Sequence, residues 1–120
     1  MERMMIVEDH SAFAQALELV LGSDARISLA RTLEEGRALL RTGEPFDVVV
    51  LDLSLPDGEG TSLIPEIRER HSRTRVVVLS AREDVDEVAS EAGADAAIPK
   101  ETPLPEIIAC LRRLAEQGYG

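Results

Sequence analysis

Val48 to Gly60 reads VVVLDLSLPDGEG, an aliphatic run that closes on an aspartate and then breaks into a Pro/Gly turn. An ionised Asp52 behind four aliphatic residues is costly to place unless the strand ends there, at the rim of a sheet and facing positive charge. Pro56 presets φ, and Gly58 and Gly60 tolerate angles that other residues avoid, so the chain can fold back over Asp52. This strand end is therefore read as a place of chemistry.

Outward from it, short aliphatic runs alternate with helix-period segments five times. Met4 to Val7 ends at Glu8-Asp9. Ser11 then stands where an N-cap would, before a helix with Phe13, Ala16, Leu17, Val20 and Leu21 on one face and Gly22 as its stop. A weaker strand, Ile27 to Ala30, precedes the capping box Thr32-Leu33-Glu34-Glu35, with Leu33, Leu39 and Leu40 inward and Gly43 as the stop. After the opening stretch come Leu63, Ile64 and Ile67, with Pro65 in a first helical turn. Arg75 to Leu79 ends at Ser80-Ala81, ahead of an acidic helix start at Asp84 to Glu87 and a thin apolar stripe. The faint strand Asp95 to Ile98 leads to Pro99-Lys100, and Thr102-Pro103 caps a last helix with Leu104, Ile107, Ile108, Leu111 and Leu114 apolar. Gln117 to Gly120 carries no further pattern.

Aliphatic strands that do not alternate with polar residues, each followed by a helix, predict a parallel sheet covered on both faces. Ligands then bind beyond the carboxyl ends of the strands. Glu8, Asp9, Asp52, Ser80 and Lys100 all follow strands at that one edge. Three carboxylates in one crevice repel, by roughly 4 kcal/mol for a pair 4 Å apart at an effective dielectric of 20, and a divalent cation relieves this. All-oxygen ligands favour Mg²⁺ or Mn²⁺, with Asp9 and Asp52 as direct ligands, Glu8 either behind them or bound through water, and the Ser54 carbonyl as a further oxygen. An aspartate beside a metal, a hydroxyl and an ammonium is equipped to take up a phosphoryl group.

Composition bounds the rest. The 120 residues carry a formal charge of −10, which argues against direct nucleic-acid binding by this domain. All but one of the 13 basic residues are arginine, and the exception, Lys100, is a compact point charge suited to a phosphoryl oxygen. No apolar run reaches membrane-span length and no signal pattern opens the chain, so a soluble cytoplasmic protein is expected. Cys110 is expected as a core thiol, and His10 and His71 as surface residues.

In order, IVEDH, DLSLPDGEG, VVLSA and AGADAAIPK resemble the response-regulator receiver domain of two-component signalling, over nearly the whole chain. The resemblance implies a flavodoxin-like doubly wound (βα)5 three-layer sandwich, its five-stranded parallel sheet in order 2-1-3-4-5. It further implies one receiver domain over residues 1–120, with any output domain outside, and a histidine kinase that phosphorylates Asp52 while Ser80 moves toward the adduct. The last strand and the helices flanking it then rearrange, and a homodimer forms through that face or through the first and last helices. VEDHSAF and KETPLPEII further resemble receivers that precede a LuxR-type DNA-binding domain. Ala97 departs from the family, whose switch position there is usually Tyr or Phe, and Pro99 removes an amide donor. Ser54 and Arg82 occupy positions that overhang the phosphoryl group in resembling proteins.

The same residues bear on three other classes. A pseudo-receiver that only dimerises fits Ala97 but not the intact acids, hydroxyl and lysine. A haloacid-dehalogenase-like phosphatase needs a second aspartate where Ser54 stands. A flavin site needs a hydroxyl- and glycine-rich loop after the first strand, which is missing.

Overall fold

The computed structural model describes residues 2–117; Gly118 to Gly120, in the patternless tail, lie outside them. Five parallel strands form the main sheet: β1 (Glu2–Val7), β2 (Ala25–Ala30), β3 (Val48–Asp52), β6 (Arg75–Ser80) and β7 (Ala96–Pro99). Between β3 and β6 sits a small antiparallel hairpin, β4 (Ser54–Leu55) and β5 (Gly58–Glu59). The main sheet runs β2-β1-β3-β6-β7, which is the expected 2-1-3-4-5 when its own strands alone are counted. The helices are α1 (Ser11–Leu21), α2 (Leu33–Leu40), α3 (Ile64–Arg70, entered through a 3₁₀ turn), α4 (Val85–Ala92) and α5 (Leu104–Glu116).

Both sheet faces are apolar because successive residues of each central strand point to opposite sides and both sides are covered. Met4, Ile6, Val48 and Val50 pack with Leu17 and Leu21 of α1 and Ile107 and Leu111 of α5. Their neighbours Met5, Val7, Val49 and Leu51 pack with Leu33 and Leu40 of α2 and Ile64 and Ile67 of α3. A smaller cluster of Leu53, Val78, Val85 and Ala89 holds α4. Only Val85 and Ala89 of α4 are fully buried, and a buried valine contributes roughly 1.5–3 kcal/mol, so the thin stripe makes a weakly anchored helix. Ala97 is half-buried against this same cluster.

Several local expectations are corrected. Ser11 is the first helical residue of α1; His10 is the N-cap, with no side-chain cap. The helix entrance is fixed from upstream, where the His10 N–H donates to Glu8 Oε2 at 3.1 Å. Gly43 does not stop α2, which ends at Leu40 with Arg41 as C-cap; Gly43 turns the following loop at φ 101°. Pro103 is the N-cap of α5, where neither it nor Thr102 supplies a side-chain cap. His71 is buried, contrary to the surface position expected for it, where the chain turns after α3 and the Thr74 N–H donates to the His71 carbonyl at 3.1 Å. Cys110 is half-buried against the α5 side of the core. Pro99 lies on the edge strand β7, where a missing amide is tolerated.

The capping box on α2 is present, with the Glu35 N–H donating to Thr32 Oγ1 at 3.1 Å. A second acceptor reinforces it from far along the chain. Asp57, in the hairpin turn, accepts from the N–H groups of Leu33 at 2.8 Å and Glu34 at 3.1 Å. These bonds, Leu33's foremost, hold the Asp57 carboxyl below the usual aspartate range. Its stabilising contribution is therefore complete above the ordinary aspartate pKa and is lost as pH falls through the lowered one. Asp57→Ala is expected to raise amide exchange at Leu33 and Glu34 several-fold at neutral pH, with little change in the β1 amides; equal exchange in both proteins would show that the bonds carry nothing.

Candidate functional site

The parallel registers bring the strand ends to one level. Ile6 lies opposite Leu29 and the next residue, Val7, opposite Leu51; Asp52 lies opposite Leu79, and Ser80 opposite Pro99. One residue beyond its own strand end, each of Glu8 and Lys100 therefore reaches the same crevice as Asp52 and Ser80. Glu8, Asp52 and Ser80 are buried, Lys100 is partly buried and Asp9 is exposed.

Lys100 is the centre of the site. Its Nζ stands 2.6 Å from Glu8 Oε1 and 3.3 Å from Asp52 Oδ2, and 5.2 Å from the Phe13 ring centroid. Its own N–H donates to the Ser80 carbonyl at 2.9 Å, tying the end of β7 to that of β6. Burial pushes the ammonium's pKa down, but the carboxylates of Glu8 and Asp52 more than offset this and hold it above the usual lysine value. Lys100 is thus charged at neutral pH. Burial, with Asp52 adding to it, pushes the Glu8 carboxyl up against the opposing pull of Lys100 and the His10 N–H.

Carboxylate oxygens of Glu8, Asp9 and Asp52 all lie within 4.8 Å of one another. One ammonium leaves this group two charges short of neutrality, and two of the three acids have little access to water. That donor set fits a hard divalent cation bound through oxygen. Asp52 is steadied on its other oxygen, Oδ1, by the Ser54 N–H at 3.3 Å. Ser80 Oγ accepts from the Arg82 N–H at 3.1 Å, which leaves the hydroxyl proton free to donate.

Glu8, Asp9, Asp52 and Lys100 meet here, with the Ser54 N–H and the Ser80 hydroxyl on the rim, and Arg82 differs from its expected place. The Arg82 guanidinium is not free above Asp52: it donates to Asp84 Oδ1 at 3.0 Å and Oδ2 at 2.8 Å, and to Glu59 Oε1 at 3.2 Å. Sequence reading missed Glu59 and Asp84 as its partners, and Asp57 as the tie to α2. Asp57 carried a signal only as a turn residue, and Glu59 carried none.

Residues 4–112 match the response regulator receiver domain family. The KDP operon transcriptional regulatory protein KdpE of Escherichia coli is 40% identical over 115 residues, which span 93% of this chain and 50% of KdpE. The chain thus spans about half the length of that relative. The non-phosphorylated HemR receiver domain of Leptospira biflexa superposes with a TM-score of 0.88 at 32% identity, over 100% of this chain and 98% of that one. DrrB of Thermotoga maritima, an OmpR/PhoB homolog, gives 0.82 at 30% identity over 97% of this chain and 53% of its own. These relatives point to the OmpR/PhoB type and not specifically to the LuxR type that the terminal motifs resemble. With the strand order, the acidic group and Lys100 in place, the chain belongs to the response regulator receiver domain family.

Proposed function

We propose that Asp52 is the phosphoacceptor and that the domain passes its phosphorylated state to an output domain. The observation that carries this is the buried Asp52 carboxylate held between the Lys100 ammonium and the Ser54 N–H, beside a free hydroxyl proton on Ser80. An Asp52 oxygen forms the new O–P bond as the donor's bond to phosphorus breaks, and the leaving group keeps that electron pair. Lys100 and the Ser80 hydroxyl meet the charge that spreads over the phosphoryl oxygens. Glu8, Asp9, Asp52 and the Ser54 carbonyl would hold Mg²⁺ or Mn²⁺, which when bound supplies further positive charge to those oxygens. Among the described residues no histidine contacts Asp52 as a base for water: His10 is the exposed N-cap of α1 and His71 is buried elsewhere, which supports an adduct that persists as a signal.

The donor in this reading is a histidine kinase, and the output a DNA-binding domain outside this chain; the similarity to a transcriptional regulator and to an OmpR/PhoB homolog supports that output over a LuxR-type one. Residues 1–120 are then a single receiver, cytoplasmic with its output domain. No helix among the described residues is long and apolar enough to cross a membrane. A homodimer through α4, β7 and α5, or through α1 and α5, is the proposed partner arrangement; the loose anchoring of α4 supports the first of these faces.

The test is intact-protein mass after incubation with acetyl phosphate and Mg²⁺. Wild type is expected to gain one phosphoryl group and Asp52→Asn none, with the gain abolished by a chelator. An unphosphorylated wild type under both small-molecule and kinase donors would point instead to a pseudo-receiver.

A further inference from the structure

The rim of the site closes into a ring through the β3–β6 register, which sets Asp52 opposite Leu79, the residue before Ser80. Asp52 accepts from the Ser54 N–H, Ser54 pairs across the hairpin with Glu59, Glu59 accepts from the Arg82 guanidinium, and the Arg82 N–H donates to Ser80 Oγ. Arg82 therefore joins the acceptor loop to the hydroxyl-bearing strand end, and its guanidinium also holds Asp84, the N-cap residue of α4. Asp84 makes no side-chain cap on α4, because both of its oxygens face Arg82.

From this ring we infer that Glu59 and Asp84 act as a charge-exchange brake, holding Arg82 away from a phosphoryl group on Asp52 and so shortening the life of the adduct. The inference rests on Asp52 being the acceptor. A phosphoryl group turns the single negative charge of the Asp52 carboxylate into about two and adds three acceptor oxygens beside Ser80, whose Oγ accepts from the Arg82 backbone N–H and so keeps that guanidinium within one side chain's length. Arg82 then has two sets of anions to choose between. With Glu59 and Asp84 it stays on the rim and leaves the phosphorus open to water. With the phosphoryl oxygens it covers the face that water must approach. In hydrolysis the water oxygen bonds to phosphorus, the Asp52 Oδ–P bond breaks, the carboxylate is regenerated with that electron pair, and the water's proton passes to the released phosphate or to solvent. Arg82 neither forms nor breaks a bond; it is a positioning residue that governs access.

The two carboxylates are exposed enough to be weak competitors, so the effect is a modest factor and not an all-or-none switch. The test is a double-mutant cycle on the half-life of the acyl phosphate, followed by intact mass in Mg²⁺ after the acetyl phosphate is removed. Glu59→Gln is expected to lengthen the half-life about threefold, the rate equivalent of one exposed ion pair. In an Arg82→Ala background the same change is expected to do nothing. Asp84→Asn gives a second, independent arm with the same two expectations, so a folding defect in one variant leaves the other to decide. Equal effects in both backgrounds, or no effect in either arm, would overturn the brake while the phosphoryl mass still stood for the acceptor. Absence of any phosphoryl mass on wild type would overturn both.

Discussion

Lys100→Ala is expected to slow phosphoryl acceptance on Asp52 by about 100-fold or more, the usual cost of removing one preorganised charge donor from a site where charge develops. Among the described residues the ammonium is the only basic side chain paired with the buried acids, at 2.6 Å from Glu8 and 3.3 Å from Asp52. Its loss also leaves two carboxylates facing each other in a poorly hydrated crevice. Breaking a fully buried pair costs about 3–5 kcal/mol; Lys100 keeps part of its hydration, so roughly 2–3 kcal/mol is expected here. The pH dependence has a definite sign. In wild type the lysine's raised pKa gives a contribution that is complete below the ordinary lysine pKa and lost as pH rises through the folded one. In the variant, Glu8 loses its chief opposing influence, so its pKa, already raised by burial and Asp52, rises further. A carboxyl with a raised folded pKa binds more protons folded than unfolded, so the variant's stability falls as pH climbs through that range. Urea unfolding should show a larger deficit at pH 8 than at pH 5. Lys100→Arg should not restore the rate, since a planar fork cannot take the place of a point charge between two acids and a phosphoryl oxygen. A phosphorylation rate within a few-fold of wild type in Lys100→Ala would remove the lysine from the mechanism.

Why Lys100 and Asp52 were legible in the sequence is a matter of contrast. An ionisable residue directly after VVVL, or a lone lysine after AAIP, interrupts an apolar run, and a parallel sheet turns every such interruption into a position at one edge. The core was legible for the same reason, since unbroken aliphatic strands admit few burial patterns. What stayed hidden depends on choices between partners distant in the chain. Asp57 looks like any Pro-Asp-Gly turn residue, and only the folded chain shows that the hairpin reaches the first amides of α2. Ser11 is a good N-cap by type, yet the Glu8 bond to the His10 N–H sets the helix entrance one residue earlier. His71 is polar enough to expect at the surface, yet it is buried where the chain turns toward Thr74. Arg82 shows the limit most clearly: the resemblance implied a place overhanging the phosphoryl group, while the acids that hold it are Glu59, 23 residues back in the hairpin, and Asp84, two residues on.

Gly60→Ala is expected to be the most damaging single-methyl change among the described residues near the site. A Cβ built at Gly60 would lie 1.9 Å from the Asp52 carbonyl oxygen, 2.9 Å from its carbon and 3.4 Å from Leu51 Cβ. Two of those three are backbone atoms of the acceptor strand, which no rotamer change can move. The chain must open where the Gly60 N–H now donates to the Leu53 carbonyl at 3.0 Å, and that bond closes the loop over Asp52. Overpacking and the lost hydrogen bond together suggest roughly 3 kcal/mol or more of destabilisation. Acceptance should fall as well, because the Ser54 N–H that steadies Asp52 Oδ1 lies inside the same loop. Gly43→Ala separates this steric effect from the general cost of replacing a glycine. Gly43 has φ 101° but nothing within 4 Å of an added Cβ, so only backbone strain applies, about 1–2 kcal/mol, at a loop remote from the acids. Urea midpoints should therefore order wild type above Gly43→Ala above Gly60→Ala, with acetyl phosphate labelling reduced only in the last. Equal midpoints for the two variants would mean that the loop yields easily around Asp52, and that its close approach at Gly60 does not hold the acceptor in place.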